Sequence, residues 1–308
     1  MLDEVHRQIE LHKEIRFILT GSSARKLKRS DVNLLGGRAS RFYFHPITSI
    51  EMGFDQYSQN LERNITYGFL PQILLSSDPW QDLSDYVGIY LKEEIQQEAI
   101  VRSIDGFSRF LNTVALTNSE QINFTKIAND IDCSPKKVRE YYQVLEDTLV
   151  GHLLEAFTKT KKRKAMTSAK FYLFDPGITN ALLGRKFIAQ KTKEFGNLFE
   201  QLVFCEIKAY LDYHQITDSL FYWRSTSKLE VDFIMLDPSS KLIAIKVKSS
   251  DNPSLKDSKG LLALEEDVKL KRKIIVCLSK KAKLFEHDVE VLPLQLFLEK
   301  LWGHKFMH

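Results

Sequence analysis

Several things are missing from this chain, and each absence narrows its function. No apolar run approaches the roughly 20 residues that span a bilayer, and the charged opening Met1-Leu-Asp-Glu-Val-His-Arg offers no export-signal core, so no membrane partner and a cytoplasmic address are expected. Cysteine is scarce. Cys133, Cys205 and Cys277 are odd in number and far apart, which suits reduced core thiols rather than disulfides or a zinc site. Neither sign of charge dominates: 44 Lys and Arg face 40 Asp and Glu, so any nucleic-acid surface must come from local clustering. There is no Gly-x-x-x-x-Gly-Lys-Ser/Thr, and no acid follows an apolar strand ahead of Gly21. The phosphate cradle and magnesium acid of phosphoryl transfer are therefore missing, and the chain alone is expected not to hydrolyse ATP.

What is present centres on a hairpin. Glu230-Val-Asp-Phe-Ile234 alternates as a strand, Asp237-Pro-Ser-Ser-Lys241 turns, and Ala244-Ile-Lys-Val-Lys248 returns. Alternation places Glu230 and Asp232 on one face and Lys246 and Lys248 together on one face of the partner strand. The pair resembles the metal-binding hairpin of restriction-endonuclease-like folds, in which an Asp on the first strand and an acid two residues before a Lys on the second hold a divalent ion. Here Lys246 stands at that second acid. An ammonium cannot ligate magnesium, so an ion-paired patch across the ladder is expected. The alternative is a weak metal pair, Asp232 with Glu230, helped by Glu200 and accepting Mg2+.

Upstream, residues from about Asp85 to Asn118 carry a helical apolar stripe. Phe124–Ile131 reads as a short helix. Asp132-Cys-Ser turns, and Ser134 caps a second helix that opens at Pro135 and runs to Thr148, a helix-turn-helix layout. Val138, Tyr142 and Leu145 are expected in the core, while Lys136, Lys137 and Arg139 project outward. Val150–Phe157 and Lys170–Phe174 then read as the strands of a wing, joined by an acid-free loop holding Lys161, Lys162, Arg163 and Lys164. A basic helix and a basic wing suit contact with the DNA phosphate backbone. The same layout serves equally for protein packing with a solvated basic loop.

Phe17-Ile-Leu-Thr-Gly-Ser-Ser-Ala-Arg-Lys-Leu27, Leu34-Leu-Gly-Gly-Arg-Ala39 and Tyr67-Gly-Phe-Leu-Pro71 resemble the later half of bacterial AAA-superfamily ATPases fused to the C-terminal domain of unknown function 4143. Arg16–Thr20 and Arg41–His45, the latter stopping at Pro46, read as short strands from their own apolar runs. The resemblance implies nucleotide-sensing roles for Ser22 or Ser23, an arginine finger at Arg38, a winged helix, and a nuclease-like C-terminal domain. The family's phosphate-binding loop and acidic magnesium strand precede these motifs, so the chain reads as N-terminally truncated relative to the family.

Beyond residue 171, Gly196–Ile207 reads as a helix carrying Glu200, Leu220–Ser225 and Lys273–Ser279 as strands flanking the hairpin, and the chain ends in a helix reaching Trp302. The expected architecture is α/β multidomain: an ATPase remnant over 1–75, a helical and winged helix-turn-helix region over 76–170, and a restriction-endonuclease-like α/β sandwich over 171–308. Three functions follow. The first is a DNA-binding protein without ATP hydrolysis. The second is a metal-dependent nuclease using Glu200, Glu230 and Asp232, with Lys248 beside the phosphate and Arg224 at the same sheet face. The third is half of a split ATPase that uses ATP only when a chain carrying the phosphate loop is supplied. A homo-oligomer is the other expected assembly.

Overall fold

The structure is a computed structural model that describes residues 2–21, 40–91, 104–217 and 219–306. In chain order its helices are α1 (Leu2–Leu11), α2 (Ser49–Met52), α3 (Phe54–Gln59), α4 (Leu61–Tyr67), α5 (Pro71–Leu75) and α6 (Pro79–Asp85). A π-helical stretch, Tyr86–Leu91, follows, then α7 (Ile104–Leu116), α8 (Phe124–Asp130) and α9 (Pro135–Asp147). Strands β1 (Gly151–Leu154) and β2 (Lys170–Leu173) pair antiparallel as a two-stranded sheet. They lead to α10 (Pro176–Leu182) and the long α11 (Lys193–Tyr213). The remaining elements are β3 (Leu220–Arg224), β4 (Glu230–Leu236), β5 (Leu242–Lys248), α12 (Lys259–Glu265), β6 (Leu270–Cys277), β7 (Lys283–Phe285), β8 (Val289–Pro293) and α13 (Leu294–Trp302).

Local chemistry explains where most of these begin. Asn123, Ser134, Asp175 and Thr192 each accept a hydrogen bond from a first-turn amide of α8, α9, α10 and α11, and Pro opens α9 and α10. On α9, Val138, Tyr142 and Leu145 are buried as their spacing requires, while Lys136 and Arg139 stay exposed.

The six-stranded sheet has the order β3-β4-β5-β6-β8-β7. Its first three strands are antiparallel, β5, β6 and β8 run parallel, and β7 closes antiparallel on β8. The fold is thus mixed α/β. One face of the sheet packs against α11 and α13 through Phe233, Met235, Ile243, Ile245 and Val276. The other packs against α12 through Val231, Ile234, Ala244 and Ile275. Tyr57, Ile65 and Phe69, from the segment carrying α3 and α4, join the α11 core, so apolar side chains upstream of residue 75 are shared with the C-terminal sheet.

Buried polar contacts fasten that junction. Glu206 on α11 accepts from the Ser49 amide at 2.8 Å, the Ser49 hydroxyl at 2.7 Å and the Trp302 indole at 2.9 Å, tying α2 and α13 to one carboxylate. Asp175 caps α10 and also accepts from the Phe69 amide at 2.7 Å.

The strands expected at 16–20 and 41–45 do not form. Among the described residues neither segment pairs with a strand, and their apolar side chains remain in solvent: Ile18 is 89% exposed and Phe44 is 90% exposed. Ser22, Ser23 and Arg38 lie outside the described residues.

Candidate functional site

Antiparallel pairing of β4 with β5 builds the expected hairpin, with Phe233 opposite Ile245 and Leu236 opposite Leu242. The alternation of β4 slips once. Val231 and Ile234 both join the α12 side, and pairing with β3 shifts register between Phe221 and Trp223. The extra residue falls at Asp232–Phe233, a β-bulge of the kind that re-aims a side chain. Asp232 is fully buried there. Its Oδ1 accepts from Lys246 Nζ at 2.5 Å and its Oδ2 from the Val247 amide at 2.6 Å. Lys248, the second lysine of β5, turns away to Asp257 at 3.3 Å.

Glu200 and Glu230 converge on a different cation. Lys170, at the start of β2, places Nζ 2.9 Å from Glu200 Oε1 and 2.6 Å from Glu230 Oε1, with only 3% of its side chain exposed. Tyr172 donates to Glu200 at 2.7 Å, the Tyr222 ring lies 5.4 Å from Lys170 Nζ, and Arg224 reaches Glu230 at 3.5 Å. Gln121 donates to the Tyr222 hydroxyl, which itself donates to the Ser168 carbonyl. Lysine and tyrosine at the head of an apolar strand were the only sequence signals for this part of the cluster, and nothing in the chain order joins them to Glu200 or Glu230.

Titration follows from burial and these partners. Burial alone would discharge Lys170, but Glu200 and then Tyr172 and Glu230 outweigh it, and its pKa is raised well above the ordinary lysine value. Glu230 is held below the usual carboxylate range: burial opposes the charge, and Lys170 and Lys246 overcome it. Burial pushes Asp232 up to about 6 despite Lys246. Lys246 is raised because Asp232, Glu230 and Glu200 together exceed its desolvation.

Three carboxylates are thus balanced by two buried ammonium groups and a half-exposed guanidinium. A hard divalent cation needs several free oxygen ligands at about 2.0–2.6 Å, and five of these six oxygens are already engaged by Lys170, Tyr172, Arg224, Lys246 or the Val247 amide. Among the described residues no group of three His, Cys, Asp or Glu side chains is arranged to hold a metal ion. The donor set as it stands does not fit Mg2+.

The surface expected to meet DNA is partly tied down. Arg163 pairs with Glu266 at 2.5 Å, and the Asp267 carboxylate accepts the backbone amides of Lys161, Lys162 and Arg163. The loop continues along β3, where Phe157 and Met166 donate to the Tyr222 and Arg224 carbonyls and so cover the open edge of the sheet. Lys161, Lys162 and Lys164 remain exposed on it. On α9, Lys137 pairs with Glu140 and Arg139 stacks over Phe124.

Residues 195–297 match the domain of unknown function DUF4143. That region holds Glu200, Glu230, Asp232 and Lys246. Residues 58–187, which include α8, α9, both strands of the small sheet and Lys170, match a second domain of unknown function, DUF8612. A Haemophilus influenzae (strain Rd) protein described as uncharacterized is 23% identical over 205 residues, covering 62% of this chain and 50% of that protein. The chain therefore spans about half the length of that relative. No solved structure matches. Among the described residues no helix is long and apolar enough to cross a membrane.

Proposed function

We propose that the chain is a cytoplasmic DNA-binding protein without nuclease or ATP-hydrolysing activity of its own, derived from an AAA-type ATPase with a C-terminal DUF4143 region. In this reading α8, α9 and the β1–β2 hairpin act as a winged helix over residues 76–170, and residues 171–308 are a nuclease-like sandwich that has lost its metal chemistry. The observation that carries it is the contrast between two sets of charges. The carboxylates at the hairpin are internally neutralised, whereas Lys136, Arg139, Lys161, Lys162 and Lys164 face solvent. Exposed lysines and arginines that neutralise phosphates make affinity fall steeply with salt. A gel shift with duplex DNA at rising salt tests this: binding at low salt that declines as salt increases is expected, and no shift at low salt refutes it. Supercoiled plasmid incubated with Mg2+ or Mn2+ should stay intact, while nicking abolished by Asp232→Ala would favour the nuclease.

The split-ATPase reading draws on one feature, the exposed apolar residues Ile15, Phe17, Ile18, Phe42 and Phe44. Large apolar side chains left in solvent favour association with a partner surface. ATP hydrolysis that appears only when a polypeptide carrying the phosphate loop is added would support it.

A further inference from the structure

We propose that Lys170 is a built-in cation that takes the place of a divalent metal between Glu200 and Glu230, supplied by the small sheet to the carboxylates of the large one. The ammonium is buried and makes both carboxylate contacts within 2.9 Å, with its remaining side toward the Tyr222 ring. An ammonium has three donors and fills such a site as a point charge. A metal would draw the same oxygens closer and demand more of them. The cation and its ligands come from different halves of the chain: Lys170 lies in the DUF8612 match, the carboxylates in the DUF4143 match. The small sheet is held in place for this by the parallel bridge of Ala156 with Tyr222 and by the Gln121–Tyr222 hydrogen bond. Docking of one unit on the other therefore completes the charge balance of the hairpin. Asp232 keeps its own partner, Lys246, so removal of Lys170 leaves Glu200 and Glu230 converging on one point with the Tyr172 hydroxyl on Glu200 and Arg224 beside Glu230.

The inference rests on the non-nuclease reading above, but its test is binding rather than cleavage, so the two fail separately. Calorimetric titration of the full chain with MnCl2 should give no saturable heat for the wild type and a saturable single-site heat for Lys170→Ala and Lys170→Gln. Adding Glu230→Gln to Lys170→Ala should weaken that binding by roughly tenfold or more. If the single variants lose their fold, Mn2+ should restore the near-ultraviolet circular dichroism of Lys170→Ala but not of the double variant. Folded variants that bind Mn2+ no better than the wild type overturn the inference. So do unfolded variants that Mn2+ does not rescue, and so does saturable Mn2+ binding by the wild type.

Discussion

Lys246→Met isolates the energetics of the hairpin. Asp232 is fully buried, and after the substitution only the Val247 amide at 2.6 Å still engages its carboxylate. Removing one partner of a buried ion pair costs about 3–5 kcal/mol, because the surviving charge is left without compensation. The site supplies its own scale. Burial already pushes Asp232 up to about 6 from 3.8 with Lys246 beside it, which corresponds to about 3 kcal/mol of preference for the neutral form. Without the lysine the pKa rises further, and the variant relieves part of its penalty by taking up a proton. A carboxyl whose folded pKa lies above its unfolded one binds protons more tightly in the fold. The stability it contributes is fully present below the unfolded pKa and is lost as pH rises through the folded value. The deficit relative to wild type should thus be near 3–5 kcal/mol at about pH 8 and clearly smaller at about pH 5. Guanidinium denaturation followed by far-ultraviolet circular dichroism at both pH values measures it. Asp232→Leu combined with Lys246→Met should cost less than Lys246→Met alone, since both charges leave together. A single-variant loss below about 1 kcal/mol at the higher pH, or a loss that grows on acidification, refutes the reasoning.

Three further outcomes follow from the packing. Replacing Lys161, Lys162 and Lys164 with Gln should weaken DNA binding and flatten its salt dependence by up to about one log-log unit for each phosphate left without a cation. Arg163→Gln should do less because its guanidinium is held by Glu266, and an unchanged gel shift in the triple variant removes the loop from the interface. Glu206→Ala strands the Ser49 amide and hydroxyl and the Trp302 indole, so urea unfolding should show a loss of about 3 kcal/mol or more; a loss under about 1 kcal/mol would mean that α2 and α13 are not held through this carboxylate. A Cβ on Gly260 would sit 2.0 Å from the Glu230 carbonyl oxygen, forcing α12 off the strand, and Gly260→Ala should cost about 1–3 kcal/mol in thermal melts. An unchanged melting temperature would show that α12 shifts freely.

Much of the DUF4143-matching region was legible because its signals are local. Period-two alternation marked β4 and β5, the Asp237 turn marked them as a hairpin, and apolar spacing marked α11 and α13. Upstream, Ser134 followed by Pro135 located the start of α9 to the residue. Each of these depends on neighbours within a few positions, which the chain carries with it wherever it folds.

The candidate site was decided elsewhere. Residue order put two acids on β4 and two lysines on β5, and so determined that the hairpin would be charged and short of a metal-binding acid. Which charge met which partner came only with packing in three dimensions. The bulge at Asp232 arises from the register against β3, Lys170 reaches Glu200 from 30 residues away, and Asp267 fastens a loop 106 residues upstream of it. The segments near Phe17 and Phe44 have strand-like sequences but pair with no strand among the described residues. Backbone propensity acts along the chain, whereas a buried charge is tolerable only beside an opposite one, and that neighbour is chosen by the tertiary fold.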